Sequence, residues 1–179
     1  MKDFAALFNT IDQTTKTTVK TRALAEYFKT ASDDDRLWTI ALFSGRRPRR
    51  AVTTTRLREW AAEQGAIPLW LFEECYPIVG DLAETIALAL PPNETSTNKP
   101  LSVWINELRD LADVDEAERK AYVLEAWSQL GGTERFVFNK LITGGFRMGI
   151  SQKLMTRALS QATGKPETEL AHRLMGKWQ

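Results

Sequence analysis

Apolar residues recur at helical spacing from the first residues of the chain. Phe4, Leu7, Phe8 and Ile11 fall at i, i+3, i+4 and i+7, which places four apolar side chains on one stripe of a helix. A second helix is expected to carry Val19, Ala23, Leu24, Tyr27 and Phe28. A third starts at the acidic run Asp33-Asp34-Asp35, suited to a helix N-terminus, and passes Leu37, Ile40 and Ala41 to stop near Ser44-Gly45. Thr53-Thr54-Thr55 supplies hydroxyl caps for a helix bearing Leu57, Trp60 and Ala61, with Gly65 as its stop. Pro68 opens a segment through Trp70, Leu71 and Tyr76 that Pro77 should interrupt, and Gly80-Asp81 caps an Ala/Leu-rich helix ending before Pro91-Pro92. Residues 91–100, PPNETSTNKP, have no apolar anchor and read as a surface linker. Beyond it, helices are expected at Leu101 to Leu111, Glu116 to Leu130, Thr133 to Ile142, Ser151 to Thr163 and Pro166 to Met175. Only Phe146 to Ile150 shows a brief alternating pattern.

Composition narrows the function class. The chain has 179 residues, 43% of them hydrophobic and 26% charged, enough to bury a core without staples. No apolar stretch approaches a membrane span and the N-terminus has no signal-peptide pattern, so a cytoplasmic address and no membrane partner are expected. The one cysteine, Cys75, cannot form an internal disulfide, and the one histidine, His172, has no metal-ligand cluster to join. Both read as ordinary packed or surface residues. No paired acid and base, nucleophile or metal set stands out, so no catalytic residue and no metal are assigned. Net charge is +1, but its placement is uneven. Lys16, Lys20, Arg22, Arg46, Arg47, Arg49, Arg50, Arg56 and Arg58 crowd the first third. Glu107, Asp110, Asp113, Asp115, Glu116 and Glu118 form a later acidic stretch.

Two segments about a hundred residues apart share one order of features: LFSGRRPRRAVTTTRLREWAAEQG and LITGGFRMGISQKLMTRALSQATG. Each begins with an apolar helix ending in hydroxyl-glycine, Ser44-Gly45 or Thr143-Gly144. A basic loop follows, then a β-branched residue, Val52 or Ile150, a hydroxyl N-cap, Thr53 or Ser151, and an amphipathic helix closing at Gly65 or Gly164. Helix N-termini carry unpaired N–H groups and partial positive charge, and glycine allows close approach to the backbone, so loop and helix together make an anion site. Arginine forks match phosphate oxygens. The DNA-binding residues assigned are Gly45, Arg46, Arg47, Arg49, Arg50, Thr53 and Thr54 in the first copy, with Lys16 added from the basic first third. Those of the second copy are Gly144, Gly145, Arg147, Gly149, Ser151, Gln152 and Lys153. Taken singly, the glycines could merely turn the chain and the arginines could be a solvated run; cationic loops ahead of both capped helices argue against that. The tryptophans, Trp38, Trp60, Trp70, Trp104, Trp127 and Trp178, read mainly as packing anchors.

On the segments LFSGRRPRRAV, YPIVGDLAET, FNKLITGGFRMGIS and ATGKPETELAHRLMGKW, the chain resembles the N-terminal DNA-binding domain of ATP-dependent DNA ligases, particularly bacterial ones, over its whole length. The resemblance implies an all-α, compact multi-helix domain, residues 1–179, built of two pseudo-two-fold-related halves of roughly 1–90 and 101–179. It implies binding of nicked duplex DNA across the minor groove through backbone contacts, with Arg147, Gly149 and Ser151 in the second phosphate loop and Gly45 to Thr54 in the first. Gly80-Asp81 is similar to a family turn and is taken as structural.

The resemblance also implies a monomer, nucleoid-associated in a bacterium, acting with the catalytic domains of a parent ligase in DNA repair, replication or recombination. ATP and magnesium are implied for that parent, and no cofactor for this domain. The family's adenylylated lysine stands in a K-x-D-G motif, and no lysine of this sequence has that context, so the chain is expected to be an isolated binding domain and not itself an enzyme. Two other readings remain open on the residues alone: a helix-turn-helix regulator reading bases in the major groove, and a helical scaffold whose basic loops meet an acidic protein.

Overall fold

The computed structural model describes residues 1–146 and 148–174. Among them lie eleven α-helices, a short 3-10 turn at Leu111–Asp113 and no strand; the chain is all-α. The helices are α1 (Lys2–Asp12), α2 (Thr17–Thr30), α3 (Asp33–Phe43), α4 (Thr54–Gln64), α5 (Leu69–Val79) and α6 (Leu82–Ala89). They continue with α7 (Leu101–Asp110), α8 (Glu116–Gln129), α9 (Gly132–Thr143), α10 (Gln152–Thr163) and α11 (Glu167–Leu174). The alternation at Phe146 to Ile150 therefore does not mark a strand among the described residues of that stretch.

Local chemistry sets most of the helix starts. Ser32, Thr53, Asp81, Asp115 and Ser151 each sit in extended conformation, and each side chain accepts a hydrogen bond from the N–H three residues on. The three aspartates at the start of α3 occupy its first turn, where they face the positive end of the helix dipole; Ser32 is the cap. Pro77 does not interrupt α5. It lies in the last turn, so the hydrogen bond it forfeits falls where the helix is already ending, and Gly80 closes α5 at φ 85° with its N–H on the Tyr76 carbonyl. Asp81 then opens α6, and its carboxylate also pairs with Lys140 of α9.

The helices cluster into two compact units that interleave along the chain. Unit 1 comprises Met1–Lys2 and Arg47–Gly145; unit 2 comprises Asp3–Arg46 and the described residues from Phe146 onward. The chain passes from one unit to the other inside each of the two basic loops.

In unit 1, α6 packs on α4, α5 and α9. Trp104 and Phe138 meet edge-to-face at 5.5 Å, with Tyr122 beside both. Trp127 donates its indole N–H to Asn139 at 2.7 Å, and Asn139 donates onward to the Ala83 carbonyl. Residues 91–100 contain no helix, yet polar bonds hold the segment in place. Asn93 donates to the Ser128 carbonyl at 2.6 Å, Ser96 donates to Glu134, and the buried Arg135 guanidinium donates to the carbonyls of Pro91, Trp127 and Leu130. A Cβ on Gly131 would lie 1.8 Å from the Asn93 carbonyl oxygen, so only glycine permits that approach.

In unit 2, α2 packs along α10, and α11 packs on α10. The core of this unit is an aromatic cluster. Phe146 lies edge-on to Phe4, Phe8 and Phe43 at 5.6, 5.7 and 6.2 Å, and Phe4 stacks on Phe43 at 5.5 Å. The buried stripe of α2 is Lys20, Leu24, Tyr27 and Phe28, with Thr21 and Ala25 beside it, whereas Val19 is exposed. The helix is thus rotated from the register its apolar residues suggest, and a lysine takes a position expected to be apolar.

Trp60, Trp104 and Trp127 are buried as anchors, while Trp70 is 66% exposed. Trp178 lies outside the described residues.

Candidate nucleic-acid interface

The first basic loop owes its shape to an alternation of residue types. Pro48 and Val52 are buried while Arg47, Arg49 and Arg50 are exposed. Pro48 and Val52 face a small apolar hollow walled by Leu108 of α7 and by Leu141 and Ile142 of α9, so the two anchors turn the arginines outward. Thr53, at φ −73° and ψ 150°, then caps α4 by accepting from the Arg56 N–H at 3.3 Å. The remaining N–H groups of that first turn, Thr54's included, have no intrahelical acceptor and carry the positive end of the dipole. Cationic loop and helix N-terminus therefore lie together in unit 1, with Arg47, Arg49, Arg50, Thr53 and Thr54 in sequence order around them. Gly45 and Arg46 precede them in unit 2, where Gly45 takes φ 88° and the Arg46 N–H bonds the Ala41 carbonyl to finish α3.

Two further cations of this segment do not face solvent unpaired. Arg56 bonds Glu59 at 3.0 Å and Glu116 at 2.5 Å, and the hydrogen bond it donates to Glu59, followed by the charge of Glu116, holds its guanidinium above the usual arginine range. Arg58 bonds Glu73 at 3.2 Å and lies over the Tyr76 ring. The acidic residue Glu116 on α8 thus neutralises part of the basic stretch instead of forming a face of its own.

The second loop is anchored by Phe146 in the aromatic core of unit 2, and it ends at Ser151. Ser151 stands at φ −75° and ψ 161°, and its hydroxyl accepts from the Leu154 N–H at 3.1 Å. The two caps therefore have closely matching torsions and the same bonding pattern. Gln152 and Lys153 follow in the first turn of α10, both exposed, and no carboxylate among the described residues pairs with Lys153. Gly149 adopts φ 65°, a left-handed conformation that favours glycine. Arg147 lies outside the described residues. Gly144 and Gly145 end α9 in unit 1; Gly144 is extended at φ −162° and neither glycine has a neighbour that a Cβ would meet, so neither is required by local geometry. Lys16 is exposed at the start of α2, the helix that packs along α10, with its N–H on the Thr14 hydroxyl.

The residue that sequence reasoning left out is Lys20. It is only 8% exposed, its ammonium donates to the Met148 carbonyl at 2.8 Å, and a Cβ on Gly149 would come within 3.0 Å of its Nζ. The signal was present: a lysine at i of the apolar positions i+4 and i+8, Leu24 and Phe28, is out of place unless its charge has work to do.

Of the assigned residues, Arg47, Arg49, Arg50, Thr53 and Thr54 gather at the N-terminus of α4 in unit 1, and Gly149, Ser151, Gln152 and Lys153 at that of α10 in unit 2, whereas Lys16, Gly45 and Arg46 belong to unit 2 and Gly144 and Gly145 to unit 1. Each combines oriented N–H groups, a hydroxyl cap and cations, a donor set suited to an anion. Among known families, the model described as DNA ligase N terminus matches residues 1–160. A search of curated proteins gave no match.

Proposed function

Because the chain belongs to the DNA ligase N-terminus family and so serves within an ATP-dependent DNA ligase, we propose that it binds nicked duplex DNA through the phosphate backbone and positions it for sealing. The observation that carries this reading is the matched pair of capped helix N-termini, Thr53 and Ser151, each reached through a cationic loop. Each unit supplies one phosphate site. The assigned donors are backbone N–H groups, hydroxyls and long cationic side chains, which address a sequence-independent anion and give weak base preference.

The chain contributes affinity and orientation in this reading. Adenylyl transfer and phosphodiester formation, with ATP and Mg²⁺, belong to the separate catalytic domains of the parent enzyme. No lysine of this sequence stands in a K-x-D-G context, so the residues present do not fit a nucleotidyl-lysine site. The assignments of Lys16, Gly45, Arg46, Arg47, Arg49, Arg50, Gly149, Gln152 and Lys153 to DNA are part of this proposal, as are a monomeric state and action in repair, replication or recombination of a bacterial chromosome.

Gel shifts with nicked, intact and single-stranded DNA of one sequence test it. Binding of both duplexes, tightest on the nicked one and weakest on the single strand, is the expected result. Failure to bind any duplex would overturn the reading, and binding confined to one duplex sequence would favour a regulator that reads bases.

A further inference from the structure

The loop ahead of α10 is met by a cation, Lys20, that no carboxylate of the described residues pairs with. Lys20 lies on the buried stripe of α2, in line with Leu24 and Phe28. Its Nζ donates to the Met148 carbonyl at 2.8 Å, and no carboxylate among the described residues lies within ion-pair distance of it. One carbonyl satisfies one of three N–H donors and none of the charge. The residue is nine-tenths buried, and an ammonium with no anion beside it keeps charge and N–H groups for a ligand.

The geometry shows where that ligand would sit. Met148 and Gly149 are three and two residues ahead of the Ser151 cap, and a Cβ on Gly149 would lie 3.0 Å from the Nζ, so glycine is what lets the loop backbone pass this close to the ammonium. The same glycine is exposed and in the left-handed region, so at this point the loop surface is backbone with an ammonium beneath it. Lys153 and Gln152 stand exposed in the first turn of the helix that follows.

We propose that the Lys20 ammonium is the inner cation of this site: it fixes the 148–149 backbone through Met148 and gives its remaining N–H groups and its charge to a backbone phosphate of the bound duplex. The inference rests on the DNA-binding reading above and adds to it a residue and a direction of approach, through Gly149. A side chain at position 149 would stand between the ammonium and the phosphate.

The test is fluorescence anisotropy of a labelled nicked duplex with the whole chain, titrated across salt concentrations. Each phosphate neutralised contributes about −0.9 to the slope of log affinity against log salt. Lys20→Gln keeps an N–H donor but removes the charge; it should weaken binding several-fold at low salt and make the slope shallower by about 0.9, one phosphate's worth. Lys20→Arg should keep the wild-type slope. Lys165→Gln, beyond the far end of α10, removes an exposed cation and should leave the slope unchanged.

An unchanged slope in a folded Lys20→Gln protein, or an equal loss in Lys165→Gln, overturns the proposal. Should Lys20→Gln fail to fold, the side-chain ammonium signal of Lys20 in ¹H–¹⁵N spectra of the wild-type protein serves instead: it must shift on adding duplex, and a signal that does not move overturns the proposal. Wild-type protein that binds no duplex removes the functional reading itself, which distinguishes that failure from failure of the Lys20 assignment.

Discussion

Arg50 and Arg56 are six residues apart, yet their surroundings differ. Arg50 stands on the outer side of a loop whose anchors are Pro48 and Val52, whereas Arg56 is held by Glu59 and Glu116. A guanidinium already engaged by two carboxylates releases few counterions when DNA arrives. Arg49→Ala and Arg50→Ala should therefore each weaken all duplex sequences alike and flatten the salt slope by about 0.9, while Arg56→Ala leaves that slope within error. Anisotropy titrations at several salt concentrations check both; a slope change in Arg56→Ala matching that in Arg50→Ala would contradict the assignment. The sequence makes all these arginines look equivalent, because Glu116 lies sixty residues further on and only the fold brings it to α4. A second residue-scale expectation concerns Tyr27, whose hydroxyl accepts a bond from Thr39 at 3.0 Å. Burial pushes its ionisation up to about 12. Its unfolded counterpart ionises near 10, so the folded state binds the proton more tightly, and this contribution is fully present below pH ~10 and lost as pH rises towards ~12. Alkaline unfolding should accompany tyrosinate absorbance in that window, and Tyr27→Phe should move the unfolding midpoint to higher pH. A midpoint unaffected by that substitution would contradict it.

At the level of elements, helix starts were readable because capping is local chemistry. Thr53 and Ser151 were identifiable from their own neighbours, and removing either hydroxyl by Thr53→Ala or Ser151→Ala should cost about 1 kcal/mol in urea denaturation. Helix ends were less readable. Gly65 and Gly164 hold equivalent places in the repeated order but are glycine for different reasons. Gly164 takes φ 74°, while Gly65 is right-handed at φ −79° and is glycine because a Cβ would lie 2.3 Å from the Ala89 carbonyl oxygen; Ala66 carries the left-handed turn instead. Gly164→Ala should cost about 1 kcal/mol for its backbone conformation. Gly65→Ala has to displace the backbone of α6's last turn and should cost more, and equal destabilisation of the two would contradict this distinction. Nothing in the sequence near Gly65 announces Ala89. The register of α2 failed to show for a related reason: a lysine on the core stripe is disfavoured until a carbonyl from the 146–150 loop meets it. Phe146 is the apolar counterpart in that loop, and Phe146→Ala, which opens the centre of a four-ring cluster, should destabilise the protein by about 3–5 kcal/mol.

For the whole molecule, the all-helical class followed from periodicity sustained along nearly the entire chain, and neither the net charge of +1 nor the amount of basic residue determined the functional reading. The placement of charge did. Arg58 and Arg56 are neutralised within unit 1 while Arg47, Arg49 and Arg50 stand exposed beside a capped helix, and unit 2 sets Lys20 and Lys153 about another. The interleaving of the two units was hidden in the sequence, since it depends on contacts that join Asp3–Arg46 to the described residues from Phe146 onward. The proposed function makes these cations phosphate-directed and indifferent to sequence. Equilibrium binding to two nicked duplexes of unrelated sequence, followed from about 50 to 200 mM salt, examines that assertion directly. The expected result is two superimposable, steeply falling lines in log affinity against log salt, with a slope of several phosphates. A salt-independent affinity, or lines for the two sequences separated by orders of magnitude, would contradict it.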